Sequence, residues 1–284
     1  MENNLKIEML YDYPRLEEKL IIDKLKANNC EVILTNINNK PLQLGERIAD
    51  VSLVRSVSMY KSLYAAALRE SGGGIAVNSS YTILICGDKI LTLSKIKNAG
   101  LNVPRSIVAM DTESAQAAYR ALKKPFVDKP PIGSWGRLVS LVTDTVSWRS
   151  LLEHRQMLPS QQLKIHIMQD YIETNNRDIR AIVIGGEVLG AMYRISIGDE
   201  WRANIALGGK PVQRKLDPVL EEISIKAAES VKGDFISVDI LEDSSGMLYV
   251  NEVNGVPEFK GFMEATGIDV ASELVKFLIG VSKK

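Results

Sequence analysis

Two short strands near the end of the chain, joined by a polar break, constrain its fold more than any other feature. Val238-Asp239-Ile240 runs to Asp243-Ser244-Ser245-Gly246, and Tyr249-Val250-Asn251-Glu252-Val253-Asn254 follows. This pattern predicts a β-hairpin with its oxygen ligands gathered on one face. A two-residue loop at Ser245-Gly246 places Asp239 opposite Glu252, with Asn254 two residues further along. Cβ atoms across such a pair lie about 4.5–5.5 Å apart, where two carboxylates repel. A divalent cation relieves that conflict, and two carboxylates with an amide oxygen form a hard-oxygen set suited to Mg²⁺. A solvent-facing polar stripe has the same spacing, so spacing alone leaves both open.

At 284 residues the chain is long for one core, which predicts two or three subdomains. Equal counts of basic and acidic residues, 35 of each, argue against nucleic acid as a partner. No apolar run approaches a membrane span, and the polar start Met1-Glu2-Asn3-Asn4 lacks a signal pattern. Cys30 and Cys86 have no metal spacing and suit a reducing interior. A cytoplasmic protein is expected.

Residues 1–86 alternate strand and helix signals: strands at 5–10, 31–34, 51–54 and 75–77, helices at 14–28 and 58–69. That rhythm predicts a small α/β domain with a mostly parallel sheet. A central α+β block at 87–163 carries a helix over 88–99, a strand at 107–110 and a helix opening at Asp111. In 164–284 strand signals dominate, at 165–172, 178–184, 187–196, 203–206, 235–241 and 247–253. Helices are expected at 217–231 and 269–280.

Chemistry-bearing residues fall in the last two blocks. The loop Pro131-Ile132-Gly133-Ser134-Trp135-Gly136-Arg137-Leu138 offers glycines that let backbone N–H groups approach an anion. It is not a Walker A loop, and a plain turn reads the same way. Lys129 and Lys89 are point charges for a phosphate or ordinary surface lysines. Met168 to Glu173 is a strand leaving into a turn, whose backbone suits an adenine edge, with Glu173 or Asp178 placed for ribose or a basic partner. Arg177, Arg180, Arg194 and Arg202 suit carboxylate or phosphate recognition, with surface ion pairs as the bland alternative. His154 and His166 have no triad or metal spacing and are taken as structural.

In order, these segments resemble the RimK-like ligases of the ATP-grasp superfamily, nearly end to end. Val77-Asn78-Ser79, Gly87-Asp88-Lys89, Ala99-Gly100 and Val103-Pro104-Arg105 match the passage into the central domain. Lys129-Pro130 and Gly133 to Arg137 resemble the mobile phosphate loop, Gln169 to Ile172 the adenine hinge, and Asp239 with Asn251 to Asn254 the metal set. Gly-Ser-Trp-Gly-Arg and Glu258-Phe259-Lys260 narrow the likeness to the LysX/ArgX branch, which loads an amino acid onto the small acidic carrier protein LysW.

The resemblance implies a three-domain ATP-grasp fold, of α/β and α+β class, with ATP between the central and C-terminal domains. Lys89, Lys129, Gly133, Ser134, Trp135, Gly136, Arg137, Leu138, Val139, Gln169, Asp170, Tyr171, Ile172, Asp178, Arg180 and Asn204 then hold the nucleotide. Mg²⁺ falls to Asp239, Glu252 and Asn254. Arg194 binds substrate carboxylate or stabilises the intermediate, and Val256, Pro257, Glu258, Phe259, Lys260, Gly261 and Phe262 line the amino-acid pocket. Gly261-Phe262 is the form of the glutamate-specific ligases of arginine biosynthesis, and a phenyl ring there is expected to shorten the pocket. One methylene is typically worth about 1–3 kcal/mol, so some action on aminoadipate is expected too. The alternatives are an aminoadipate ligase of lysine biosynthesis, a RimK-type ligase adding glutamates to a protein tail, or a non-catalytic nucleotide-binding module. An acidic carrier predicts a basic rim, with Arg202, Lys210, Arg214 and Lys215 as candidates. Family likeness also implies a homo-oligomer, dimer or tetramer.

Overall fold

The computed structural model describes residues 5–198, 200–203, 205 and 208–282. Its first unit is built from β1 (Lys6–Tyr11), α1 (Leu16–Ala27), β2 (Glu31–Asn36), β3 (Val51–Val54), α2 (Met59–Ser71) and β4 (Ile75–Val77). The four strands form a parallel sheet in the order β2-β1-β3-β4. β1 and β3 read as nearly continuous buried runs because helices and neighbouring elements cover both faces. Several charges are buried in this unit, and Glu8 lies in the middle of its sheet. The Glu8 carboxylate on β1 accepts from Thr35 at 2.6 Å, Ser52 at 2.8 Å, and Arg69 of α2 through Nε at 2.8 Å and Nη2 at 2.9 Å.

Helix α3 (Ser80–Gly87) and helix α4 (Lys89–Asn98) follow, the latter capped by the Asp88 carboxylate accepting from the Ile90 and Leu91 amides. The second sheet contains β5 (Ser106–Ala109), β6 (Phe126–Lys129) and β7 (Ser140–Val142), with α5 (Thr112–Ala121) between β5 and β6 and α6 (Thr145–Gln156) after β7. After the short α7 (Gln161–Lys164), β8 (His166–Asp170) enters this sheet, whose order is β5-β8-β6-β7. A boundary drawn between 163 and 164 therefore cuts the sheet, since β8 lies between β5 and β6. His166 is structural here: its ring nitrogen lies 2.9 Å from Asp128, which also pairs with the buried Arg155.

The third sheet combines β9 (Arg177–Ile184), β10 (Glu187–Ile195), β11 (Lys210–Arg214), β12 (Phe235–Glu242) and β13 (Leu248–Asn254). All its pairings are antiparallel, in the order β11-β10-β9-β12-β13. Helix α8 (Pro218–Ser230) packs on one face against Ile179, Ala181, Val183, Val238 and Val253. On the other face Ile182, Ile184, Met192 and Phe235 share a core with Ile7, Met9 and Leu53 of the first sheet. That core also takes Phe259, Phe262 of α9 (Lys260–Thr266), and Leu274 and Leu278 of α10 (Val270–Val281).

Several expectations need correcting. The strand anticipated at 203–206 is absent from its described residues, Ala203 and Ile205; β11 begins at Lys210 instead. α9 had no counterpart in the sequence reading. The hairpin loop spans five residues, 243 to 247, with the Asp243 amide donating to the Met247 carbonyl at 3.0 Å. Among the described residues no helix is long and apolar enough to cross a membrane.

Removing the partner of a buried charge typically costs about 3–5 kcal/mol. Arg69→Met is accordingly expected to lower the unfolding free energy by about that much, measured by equilibrium denaturation. A loss below about 1 kcal/mol, the range of an exposed pair, would contradict a buried charge at Glu8.

Candidate active site

The side chains of β9, β10, β12 and β13 alternate between two surroundings, and one face of this sheet is divided in two. Its apolar half is Ile182, Ile184, Met192 and Phe235, covered by the first unit and α10. Continuing the same alternation along the strands brings up Asp178, Arg180, Arg194, Asp239, Glu252 and Asn254, which line open cavities instead. The cross-strand register sets Asp239 opposite both Arg180 and Glu252, and Arg194 opposite Asp178.

Asp239 does face Glu252, but through a different route from the one expected. β13 carries a bulge at Asn251, between the pairs Asp239–Glu252 and Ile240–Val250. The five-residue loop shifts the register by one, and the bulge shifts it back. The bulge also adds a residue the sequence reading did not assign: Asn251 accepts from the Lys129 ammonium at 3.0 Å.

The facing carboxylates are reconciled by cations of the protein itself. Asp239 takes a bidentate contact from Arg180 at 2.8 Å on each oxygen and a further bond from Arg194 Nη2 at 3.0 Å. Arg194 also clasps Asp178 at 2.7 and 2.6 Å. Burial opposes the charge on Asp239, but the two guanidinium groups outweigh it and hold the carboxyl well below its ordinary range. The same exchange raises Arg194, where burial works against the cation and Asp178 and Asp239 overcome it. Nε and Nη2 of Arg194 are thus occupied, and among the described residues Nη1 has no partner. Glu252 pairs with Lys89 at 3.2 Å.

A first cleft lies between the second and third sheets. Lys89, Lys129, Gly133, Ser134, Trp135, Gly136, Arg137, Val139, Gln169, Asp170, Tyr171, Ile172 and Asp178 all line it. Two predicted residues do not: Leu138 points outward, and Arg180 lines the neighbouring cavity. Asn204 lies outside the described residues. The glycine loop is fixed at both ends. Lys89 Nζ donates to the Gly133 carbonyl at 2.7 Å, and Arg202 Nη1 to the Gly136 carbonyl at 2.8 Å. Trp135 and Leu138 take left-handed backbone angles, φ 59° and 60°, so this segment is strained between its glycines. The Trp135 ring lies under the Arg137 guanidinium, 4.8 Å from its centroid. Trp201 and Arg202 also border the cleft. Trp201 had no signal in the sequence, whereas Arg202 is one of the arginines expected to suit carboxylate or phosphate recognition.

A second cavity adjoins the first. Val256, Pro257, Glu258, Lys260 and Gly261 line it, with Arg180, Arg194, Asp239, Glu252 and Asn254. Phe259 and Phe262 do not. Both rings are fully buried in the core shared with the first sheet, so the expected shortening of the pocket by the Phe262 ring is overturned. The apolar ring gains more from that core than from a charged cavity. Gly261 does face the cavity, and a Cβ there would come within 2.6 Å of Ile205. The first unit adds Arg15, Glu17, Ser56 and Val57 to the lining, residues that no local pattern had marked.

A third cavity, lined by Ser58, Met59, Tyr60, Cys86, Ile132 and Leu163, opens between the first two units. All three cavities share Ser134 and Glu252. Among the described residues no three His, Cys, Asp or Glu side chains gather to hold a metal. The oxygen set Asp239, Glu252 and Asn254 does meet in the second cavity. Two carboxylates and the carbonyl oxygen of the Asn254 amide form a hard-oxygen set that fits Mg²⁺. Of the proposed basic rim, Arg202 is engaged by Glu200 and Arg214 by Asp217, while Lys210 and Lys215 are exposed.

Residues 86–278 match the model of the RimK-like ATP-grasp domain. The chain is 46% identical to the glutamate–LysW ligase ArgX of Sulfolobus acidocaldarius, over 96% of this chain and 98% of that one. It is 31% identical to the α-aminoadipate–LysW ligase LysX of Sulfurisphaera tokodaii, over 94% and 96%. Among solved structures, a RimK domain ATP-grasp protein from Sphaerobacter thermophilus superposes with a TM-score of 0.77, at 24% identity, covering 97% of this chain and all of that one. The ATP-grasp ligase PsnB, bound to a minimal precursor, Mg and ADP, gives 0.76 at 18% identity and 99% coverage of both chains.

Burial pushes Lys129 down to about 8, with Glu252 opposing the shift and Lys89 adding to it. Only the ammonium form attracts phosphate, and that form is lost as pH rises through the pKa. ADP affinity, measured by calorimetry at pH values on either side of 8, is therefore expected to fall toward the alkaline side. Lys129→Met should bind weakly and show no such step; an unchanged step in the variant would remove Lys129 as its source.

Proposed function

We propose, for a chain that belongs to the RimK-like ATP-grasp family, that it joins the amino group of glutamate to the C-terminal glutamate side chain of a LysW-like carrier protein. The enzyme is an ATP-dependent carboxylate–amine ligase of amino-acid biosynthesis. The observation that carries the fuller reading is the convergence of three cavities on Ser134 and Glu252. A reaction of this type has three substrates, a nucleotide, a carboxylate and an amine, which must meet at one point.

In this reading the nucleotide occupies the first cleft. The Gln169–Ile172 segment borders its base, Lys89 and Lys129 meet its phosphates, and the Gly133–Val139 loop covers them. Mg²⁺ held by Asp239, Glu252 and Asn254 supplies positive charge against the phosphates. The side-chain carboxylate of the carrier's C-terminal glutamate takes the γ-phosphoryl group, giving an acyl phosphate and ADP. The amino group of glutamate attacks the acyl carbon, phosphate leaves, and an isopeptide bond forms.

Positioning and charge stabilisation supply such a rate, so no nucleophilic side chain is required. Arg180 and Arg194 fix Asp239 and turn their remaining N–H edges toward the second cavity, which would take glutamate against Val256–Gly261. The third cavity is then the passage for the carrier's tail. Trp135 and Arg202 close the reacting point against water, which matters because acyl phosphates hydrolyse.

The identity to the glutamate ligases, well above that to the aminoadipate ligases, favours glutamate. Mass spectrometry of a LysW-type carrier incubated with enzyme, Mg-ATP and either amino acid tests this. One glutamyl addition is expected; several successive additions would indicate tail polymerisation, and preferential addition of aminoadipate would reassign the substrate. Glu252→Ala is expected to lower carrier-dependent ADP release by about 100-fold or more. Undiminished turnover would remove Glu252 from the reacting centre.

A further inference from the structure

The second cavity reaches the first unit at Arg15, the residue before α1. Its guanidinium is held from behind. Nε and Nη2 donate to Glu18 at 3.1 and 2.9 Å, and Nη2 also to the Arg55 carbonyl at 3.2 Å. Glu18 is buried, and it also accepts from Arg55 Nε at 2.9 Å. Arg55 is fully buried against the Phe235 and Phe259 rings and donates through Nη1 to the Pro257 carbonyl at 2.8 Å. One connected unit therefore ties the start of α1, the end of β3 and the Val256–Glu258 segment.

Nη1 of Arg15 has a different partner. It holds the Glu258 carboxylate at 3.1 Å, on a side chain 44% exposed. The other cations of the cavity are less suited to a second ligand carboxylate far from the reacting point. Arg180 and Arg194 are clasped by Asp178 and Asp239, and Lys260 is an exposed chain 3.7 Å from Glu264. Arg15 combines a fixed guanidinium with a partner that solvent already reaches. Exchanging an exposed partner costs little, since such pairs contribute about 0–1 kcal/mol.

We propose that Arg15 binds the side-chain carboxylate of the amino-acid substrate, and that Glu258 occupies that place until the substrate displaces it. The proposal rests on the reading that the substrate is glutamate. The amino group must reach the point where Ser134 and Glu252 meet, so the adjacent α-carboxylate stays near Arg180. The side-chain carboxylate, several bonds further on, extends toward the wall formed by Arg15 and Glu17. A guanidinium anchored through Glu18 and Arg55 sets the length of the cavity, as a freely moving lysine would not.

Steady-state kinetics with carrier, Mg-ATP and glutamate or glutamine test this. Glutamine keeps the α-carboxylate and lacks the side-chain one. Wild-type enzyme that fails to load glutamate at all would sink the functional reading before any variant is made. Given loading, Arg15→Gln is expected to raise the KM for glutamate by about 10- to 100-fold, the worth of one charge-assisted hydrogen bond. The KM for ATP should hold, and the preference for glutamate over glutamine should collapse. An unchanged glutamate KM, or an equal loss for both amino acids, would overturn the assignment. Glu258→Gln gives an independent readout should Arg15→Gln fold poorly. Removing the internal competitor is expected to lower the glutamate KM by about two- to five-fold, and an unchanged or raised KM would overturn the exchange.

Discussion

Asn251 has no partner of its own across β12, and the side-chain alternation of β13 changes sense at this residue. Val250 and Val253, an odd number of residues apart, both join the core beneath α8. In an unbroken strand Glu252 would share the face of Val250 and carry a carboxylate into that core, at a cost of several kcal/mol. The bulge turns Glu252 to the opposite face, beside Asp239, within reach of Lys89. The same extra residue supplies the oxygen that holds Lys129. The meeting of Glu252 with Asp239 and Lys89, and of Asn251 with Lys129, depends on that local break in the ladder.

Around it the third sheet solves two problems with one face. Apolar side chains anchor the first unit and α10, and charged ones line the cavities, with no change of strand. The charged half can stay buried because it is almost fully paired. Asp178 and Asp239 receive the forks of Arg194 and Arg180, and those forks are flat and bidentate, as a lysine could not be. The first unit reaches the same site through Arg55 and Arg15. Phe259 and Phe262, which leave the amino-acid pocket for the core, keep the intervening segment in place. A pocket lined by a loop is thereby given the rigidity of the sheets on either side.

Much of this was legible without coordinates. The parallel first sheet, the helices capped by Asp88 and Asp111, and the strands of the hairpin follow from local patterning and capping chemistry, which depend on neighbours in sequence. Resemblance ordered the loop, hinge and acidic residues, and most of them do line one cleft. The hairpin register was reached through a two-residue loop and an unbroken strand, two errors that cancel. Nothing in Tyr249 to Asn254 marks a bulge, because a bulge is settled by which side chains the two faces can accept. β11 was misplaced because its alternation is weak at the edge of a sheet, where solvent accepts either residue type.

Sequence by itself determined the class of fold, the ligase family and many of the residue types that line the first cleft, since these rest on periodicity and on motifs that stay contiguous. Tertiary structure decided which of them share a space. It sent Phe262 into the core and Gly261 to the cavity, two adjacent residues of one helical turn pointing in different directions. It also brought Arg15 to Glu258 across 243 residues of chain. No local pattern encodes such a contact, because it exists only once separate sheets have packed on a common core.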